Sequence, residues 1–288
     1  MAADYISRDW LDLDWSEWTS LHPDNDRLTD ITTDEGLYRV RHTERGGLTY
    51  IGETGRSLRG RVRSLSRGAY ADEMPYRDPH TAAPTLWAIR DAHGDDFEVS
   101  YTAPERAEDK QHRKGLEDAL IALYRREEGE SPTANFGRII DGDRQSSFSY
   151  NDEPFHGGRL PGGETEANNE AGREPLPWAN HEDVLASDWM GLDWSEPFRL
   201  RDRLDASPPD AGVYRIWYED EVPPLAYIGE SSNLSRRFYD HENTFGGDAL
   251  VSFAEPSDID AAHKRDEIET DLISAHYLAL ERSPKSQY

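Results

Sequence analysis

The feature that most constrains this chain is that part of it is written twice. "TYIGETGRSLRGRVRSL" runs from Thr49 to Leu65 and "AYIGESSNLSRRFYDHE" from Ala226 to Glu242. The two halves align at an offset of 176 (212 minus 36, 237 minus 61), which falls to 152 further on (252 minus 100, 269 minus 117, 287 minus 135). The first copy therefore carries 24 additional residues between Arg67 and Phe97, the difference between those offsets, where "PTLWAIRDAHG" reads as an extra helix. A sequence that repeats at this length predicts two small domains, each with its own core.

The order within each copy is the same. "GLYRVRH" and "LTYIGE" are short β-type runs around Thr-Glu-Arg-Gly-Gly, and "GVYRIWY" and "LAYIGE" repeat them around Glu-Asp-Glu-Val-Pro-Pro, so each pair reads as a hairpin. Ser57 and Asn233 mark the starts of helices carrying Leu58, Val62 and Leu65, and Leu234 and Phe238. A third strand ("FEVSYT", "LVSFAE") and a long helix ("HRKGLEDALIALYRREE", "RDEIETDLISAHYLALE") follow. This predicts an α+β fold, a small three-stranded antiparallel sheet flanked by helices in each copy. Upstream, "DWLDLDWSE" (9–17) and "DWMGLDWSE" (188–196) read as tryptophan-rich segments packed on each domain. Residues 138–182, rich in Gly, Pro, Asn and Glu without apolar periodicity, read as a disordered acidic linker. The predicted domains are 1–137 and 183–288.

Charge excludes some functions. There are 58 acidic residues against 32 basic ones, a net charge of −26, and lysine occurs only at 110, 114, 264 and 285. Bulk attraction to a polyanion is excluded. The balance suits either an acidic partner-binding protein or a cytoplasmic protein of a salt-accumulating halophile. With no cysteine, thiolate metal sites, disulfides and Cys nucleophiles are ruled out. No stretch is long and apolar enough for a membrane span, and the acidic N-terminus is unlike a signal peptide, so the expected location is the cytoplasm.

Charged residues on apolar stripes point to chemistry. Glu117 shares a helical stripe with Leu120, Ile121 and Tyr124, and Glu269 one with Leu272, Ile273 and His276. Arg61 lies between Leu58 and Leu65, and Arg237 between Leu234 and His241. A buried carboxylate is costly unless it is paired or holds a metal. A structural Arg–Glu pair tying two helices together is one reading. Two phenols just ahead of each arginine, Tyr38 with Tyr50 and Tyr214 with Tyr227, favour a site.

These residues resemble the GIY-YIG endonuclease superfamily in both halves. The second copy shows Gly212-Val213-Tyr214, Tyr227-Ile228-Gly229, Arg237, His241 and Glu269, with Gln287 at the family's final Asn position. The first shows Gly36-Leu37-Tyr38, Tyr50-Ile51-Gly52, Arg61, Glu117 and Asn135, with Leu65 in place of the histidine, as in the excision-repair branch. The resemblance implies two GIY-YIG-like domains acting as a divalent-metal-dependent DNA endonuclease. It implies Mg2+ or Mn2+ on Glu117 and Glu269, a guanidinium on the phosphate, and Tyr38 or Tyr214 as base once Arg and metal lower its pKa. His241 either shares that task or makes a simple phosphate or structural contact, and Asn135 fixes backbone. Arg56, Arg59, Arg63 and Arg67, with Arg236 in the second copy, suit tracking a DNA backbone. A monomer would then serve as an intramolecular pseudo-dimer. The alternative is a catalytically degenerate nucleic-acid-binding or regulatory protein.

Overall fold

The computed structural model describes residues 4–72, 74–75, 82–137, 171–206, 208–220 and 224–288. By internal contacts the chain forms two compact units, one holding the described residues up to Arg113 together with those from Ser131, the other Lys114–Glu130 and Gly172–Tyr288. Each contains one four-stranded antiparallel sheet.

In the first unit the strands are β1 (Thr19–Ser20), β2 (Gly36–His42), β3 (Tyr50–Thr54) and β4 (Phe97–Thr102), in the order β1-β4-β2-β3. Helices α1 (Leu58–Ala69) and α2 (Ala82–His93) belong to this unit, and α3 (Lys110–Glu128) begins in it and continues in the second. The second unit repeats the plan with β5 (Phe198–Arg199), β6 (Gly212–Trp217), β7 (Leu225–Ser231) and β8 (Leu250–Ala254) in the order β5-β8-β6-β7, with α4 (Leu234–Phe245) and α5 (Ala262–Leu280).

The expected three-stranded GIY-YIG-like sheet is therefore overturned: a fourth strand is present in both sheets. It pairs Thr19 with Val99 in one and Phe198 with Val251 in the other. Two residues are too short for an alternating hydrophobic pattern to announce, and their placement follows from the tryptophan segment that leads into them. Ser16 Oγ accepts from the Tyr101 amide at 3.0 Å, and Ser195 Oγ from the Phe253 amide at 3.1 Å. Each serine thus seats the segment against the adjacent strand.

Each tryptophan segment wraps a buried arginine. Alternation along β2 and β6 puts Tyr38 and Tyr214 on one face and their neighbours Arg39 and Arg215 on the other. Arg39 is fully buried, its guanidinium 4.2 Å from the Trp15 ring centre and 4.8 Å from that of Trp18, and it donates to the carbonyls of Tyr5 at 2.5 Å and Ser7 at 2.8 Å. Arg215 lies 4.2 Å from the Trp194 ring centre and donates to Val184 at 2.6 Å and Ala186 at 3.0 Å. Burial, and for Arg39 also the nearby Arg41 charge, pulls these guanidiniums down to about 9 and about 10. Carbonyl dipoles and ring faces stabilise each cation.

The predicted helices form where the caps indicate. Ser57 Oγ accepts from Gly60 N at 3.1 Å and Asn233 Oδ1 from Arg236 N at 2.9 Å. Leu58, Val62, Leu65 and Ala69 then bury one face of α1, and Leu234, Phe238 and His241 one face of α4. The inserted stretch of the first copy is α2, whose Leu86 and Ile89 join the core containing Leu65 and Ala69.

Residues 138–170 of the expected linker lie outside the described residues. The remainder, 171–182, does not behave as a linker. Leu176 and Trp178 are buried in the second unit's core, because Arg173 N and Leu176 N donate to the buried carboxylates of Glu267 (2.5 Å) and Asp271 (3.0 Å). Among the described residues, no helix is long and apolar enough to cross a membrane.

Candidate active site

Strand register brings the phenols together. Tyr214 lies directly opposite Gly229 across β6 and β7, and Ile216 opposite Tyr227, so Tyr214 and Tyr227 share one sheet face diagonally. Tyr38 and Tyr50 share a face in the same way around Gly52. A methyl group at Gly52 would sit 2.6 Å from the Tyr50 ring and 2.8 Å from Tyr38 Oη, and one at Gly229 would collide with Tyr214 and Tyr227. This glycine is the floor on which the two rings lie. Gly36 and Gly212 have a different role: a methyl group there would meet first the Thr102 or Ala254 carbonyl of the neighbouring strand and then Leu58 or Leu234 at the helix start.

The helix then delivers the arginine. Arg237, a residue past the first turn of α4, donates from Nε to Tyr214 Oη at 2.9 Å and from Nη2 to Tyr227 Oη at 3.4 Å. One turn on, His241 Nε2 is 2.7 Å from the same Tyr214 oxygen. Burial, then the Arg237 charge, lowers the His241 imidazole to about 4, so it is neutral near pH 7. With Arg237 donating to Tyr214 Oη, the phenol proton has an acceptor in that neutral ring in the tautomer that carries its proton on Nδ1. Burial, then Tyr227, pushes Tyr214 well above the ordinary phenol range despite Arg237. Tyr227 is raised too, by burial and then Glu269. Arg237 pulls the Tyr214 phenol down, as expected of it, but in the second unit burial outweighs the arginine on its own.

In the first unit Arg61 Nε donates to Tyr38 Oη at 3.3 Å, and the Tyr38 and Tyr50 rings lie 5.8 Å apart. Glu117 lies in the Lys114–Glu130 segment, which belongs to the second unit. Leu65, buried, stands where the second copy has His241.

Glu269 is partly buried on α5. Burial, and then the Asp266, Glu230 and Asp118 carboxylates, raise its pKa well above the usual carboxylate range, with Arg237 opposing. Among the described residues no ion pair joins Arg237 to Glu269, so the helix-tying pair is not what α4 and α5 make; the guanidinium goes to the phenols. Also among them, no three His, Asp or Glu side chains stand close enough to enclose a metal. Glu269 alone would give a hard cation one carboxylate and leave the rest of its shell to water and substrate oxygens.

Asn135 and Gln287 act on backbone. Asn135 accepts from Ile51 N at 3.0 Å and donates to Ile51 O at 2.9 Å, and Gln287 makes the same pair with Ile228 at 3.0 and 2.9 Å. Each amide imitates a strand neighbour at the edge of the hairpin. Of the arginines, Arg56, Arg63, Arg67 and Arg236 are exposed. Arg59 is tied back by a 2.7 Å bond to the Ile31 carbonyl.

Some residues of the site's surroundings escaped the sequence reading. Arg113 bridges Glu35 and Glu53 at 2.8 Å each, and Arg265 meets Glu230 at 2.5 Å, so each Tyr-Ile-Gly-Glu strand is clamped to the following long helix. The repeat carries the signal, because Arg113 and Arg265 are 152 apart and Arg39 and Arg215 are 176 apart (265 minus 113, 215 minus 39). No family model, curated protein or solved structure matches the chain.

Asp266 permits a test of this charge crowding. Burial, then Glu230, raises it from 3.8 to about 6, with Arg265 opposing and Glu267 adding. The folded state holds this proton more tightly than the unfolded one. Its contribution to stability is therefore fully present below 3.8 and lost as pH rises through about 6. Asp266→Asn should exceed wild type in stability at pH 8 by roughly 1–3 kcal/mol, the difference closing near pH 4. Urea unfolding across that range checks it, and equal stability at pH 8 would refute it.

Proposed function

We propose that this protein hydrolyses phosphodiester bonds in DNA with the help of a divalent cation, at the second copy's site. The observation that carries this reading is the hydrogen-bonded chain from Tyr227 through Arg237 and Tyr214 to His241. Arg237 orients the phenols and offers charge for the scissile phosphate. Tyr214 relays a proton toward the neutral His241. Glu269 would hold Mg2+ or Mn2+, which when bound supplies Lewis-acid stabilisation of phosphate oxygens. These roles are those implied by the GIY-YIG resemblance, which rests on the motif residues.

The second reading, a nucleic-acid-binding module without catalysis, is favoured for the first copy. There the matching carboxylate, Glu117, belongs to the second unit's Lys114–Glu130 segment, and α2 covers the adjoining face of α1. Arg63 and Arg67 leave it a basic, exposed helix face, with Arg56 exposed in the turn before it, suited to holding a backbone.

Cleavage of labelled DNA in molar KCl, with Mg2+ or Mn2+ and with EDTA, tests both. Product is expected only with the cation, Glu269→Ala should lose about 10³-fold or more, and Glu117→Ala should still cut. Wild-type protein that binds DNA but yields no product would leave only the second reading.

A further inference from the structure

Beside the phenol pair of the second unit lies a cleft of about 450 Å³. Three rings, Tyr218, Tyr227 and Phe245, form part of its wall, and among its described lining residues Arg237 and Lys285 are the cations and Asp240 the acid. The aromatic wall is closely spaced: Tyr227 and Phe245 are 5.9 Å apart, and His241 lies 5.1 and 5.2 Å from them. Tyr218 is held by its hydroxyl, which donates to Phe245 O at 2.7 Å. In a chain of net charge −26, two cations on one cleft select an anion. Rings beside them select a planar group.

The first copy shows what the same face becomes when it is closed. The positions matching His241, Phe245 and Ser286 are Leu65, Ala69 and Ala134, and all three are buried. They share a core with Leu86 and Ile89 of α2, which packs on α1 and on the turn at Asn135–Gly137. The 24-residue difference between the copies (176 minus 152) thus fills one flank with apolar side chains, while its counterpart keeps rings and charges facing a space.

Resting on the proposed function, and naming its substrate more narrowly, we propose that this cleft takes one nucleotide of the substrate, the base among Tyr218, Tyr227 and Phe245 and a phosphate toward Arg237 and Lys285. The volume is that of a small-molecule site. A base lodged there cannot also be stacked in a duplex, so the substrate is single-stranded or unpaired at that nucleotide. Stacking is also the interaction that survives the acidic surface, since long-range attraction to phosphates is absent from this chain.

The test compares thymidine 5′-monophosphate with 2-deoxyribose 5-phosphate, titrated calorimetrically into the full chain in molar KCl without divalent cation. The nucleotide is expected to bind about tenfold more tightly than the sugar phosphate. Phe245→Ala or Tyr218→Ala should erase that advantage, and Lys285→Ala should weaken both ligands. Equal binding, no binding, or an advantage that persists in both ring variants would overturn the assignment; the wild-type comparison decides it if a variant does not fold. Failure of DNA cleavage alongside base-dependent binding would remove the hydrolase reading and leave the cleft standing.

Discussion

Arg125→Met is expected to destabilise the second unit by about 3–5 kcal/mol, a large share of the total stability of an ordinary domain. Arg125, Glu267 and Asp271 are all completely excluded from solvent, with Arg125 3.0 Å from Asp271 and 3.2 Å from Glu267. Removing the cation leaves two carboxylates in an apolar interior. Asp271 is already raised by burial against the pull of Arg125, so it would take up a proton once the arginine is gone. Glu267 and Asp271 also hold the amides of Arg173 and Leu176, so Trp178 and its segment should loosen with them. Urea unfolding followed by tryptophan fluorescence measures the loss. Because the cost arises from unpaired charge rather than lost volume, Arg125→Met with Glu267→Gln and Asp271→Asn, which removes the charges but keeps acceptors for those two amides, should recover most of it. A single variant within 1 kcal/mol of wild type, as for a surface pair, would contradict this account of the triad.

Arg237→Lys should abolish most turnover, by about 10²–10³-fold, while leaving the unit folded. The guanidinium reaches two phenol oxygens at once, 2.9 and 3.4 Å away. An ammonium is a single compact charge and cannot reproduce that fork. Single-turnover cleavage at saturating DNA isolates the chemical step from binding. Losing only affinity, with the saturated rate preserved, would make Arg237 a DNA contact and nothing more.

Much of the site was legible because the chain repeats it. Tyr214, Tyr227, Arg237 and Gly229 recur as Tyr38, Tyr50, Arg61 and Gly52, and each set meets in its own unit. A strand period of two and a helix period near four are local properties, so the sequence pattern carries them without knowledge of the neighbours. The same comparison would have found Arg39 and Arg215, but a lone arginine in a β run gives no local sign that carbonyls and indoles await it.

Other features were illegible for a physical reason. Arg125, Glu267 and Asp271 occupy positions whose counterparts are Tyr277, Gly115 and Ala119, so no internal copy points to them. Their pairing spans 146 residues. The fourth strands are two residues long and owe their place to a serine and a tryptophan segment from outside the strand. The shift of Tyr214 is likewise a matter of enclosure, since proximity to arginine argues one way and burial argues the other.

The amino-acid order alone therefore determined that there are two copies, where their hairpins and capped helices lie, and which side chains share a face, because these follow from spacing along one segment. Tertiary structure alone decided which charges are buried, that the Lys114–Glu130 segment joins the second unit, and that one copy's flank is filled while the other's stays open. Those outcomes depend on which distant segments exclude water from a given group, and desolvation is a property of the packed surroundings rather than of any stretch of chain.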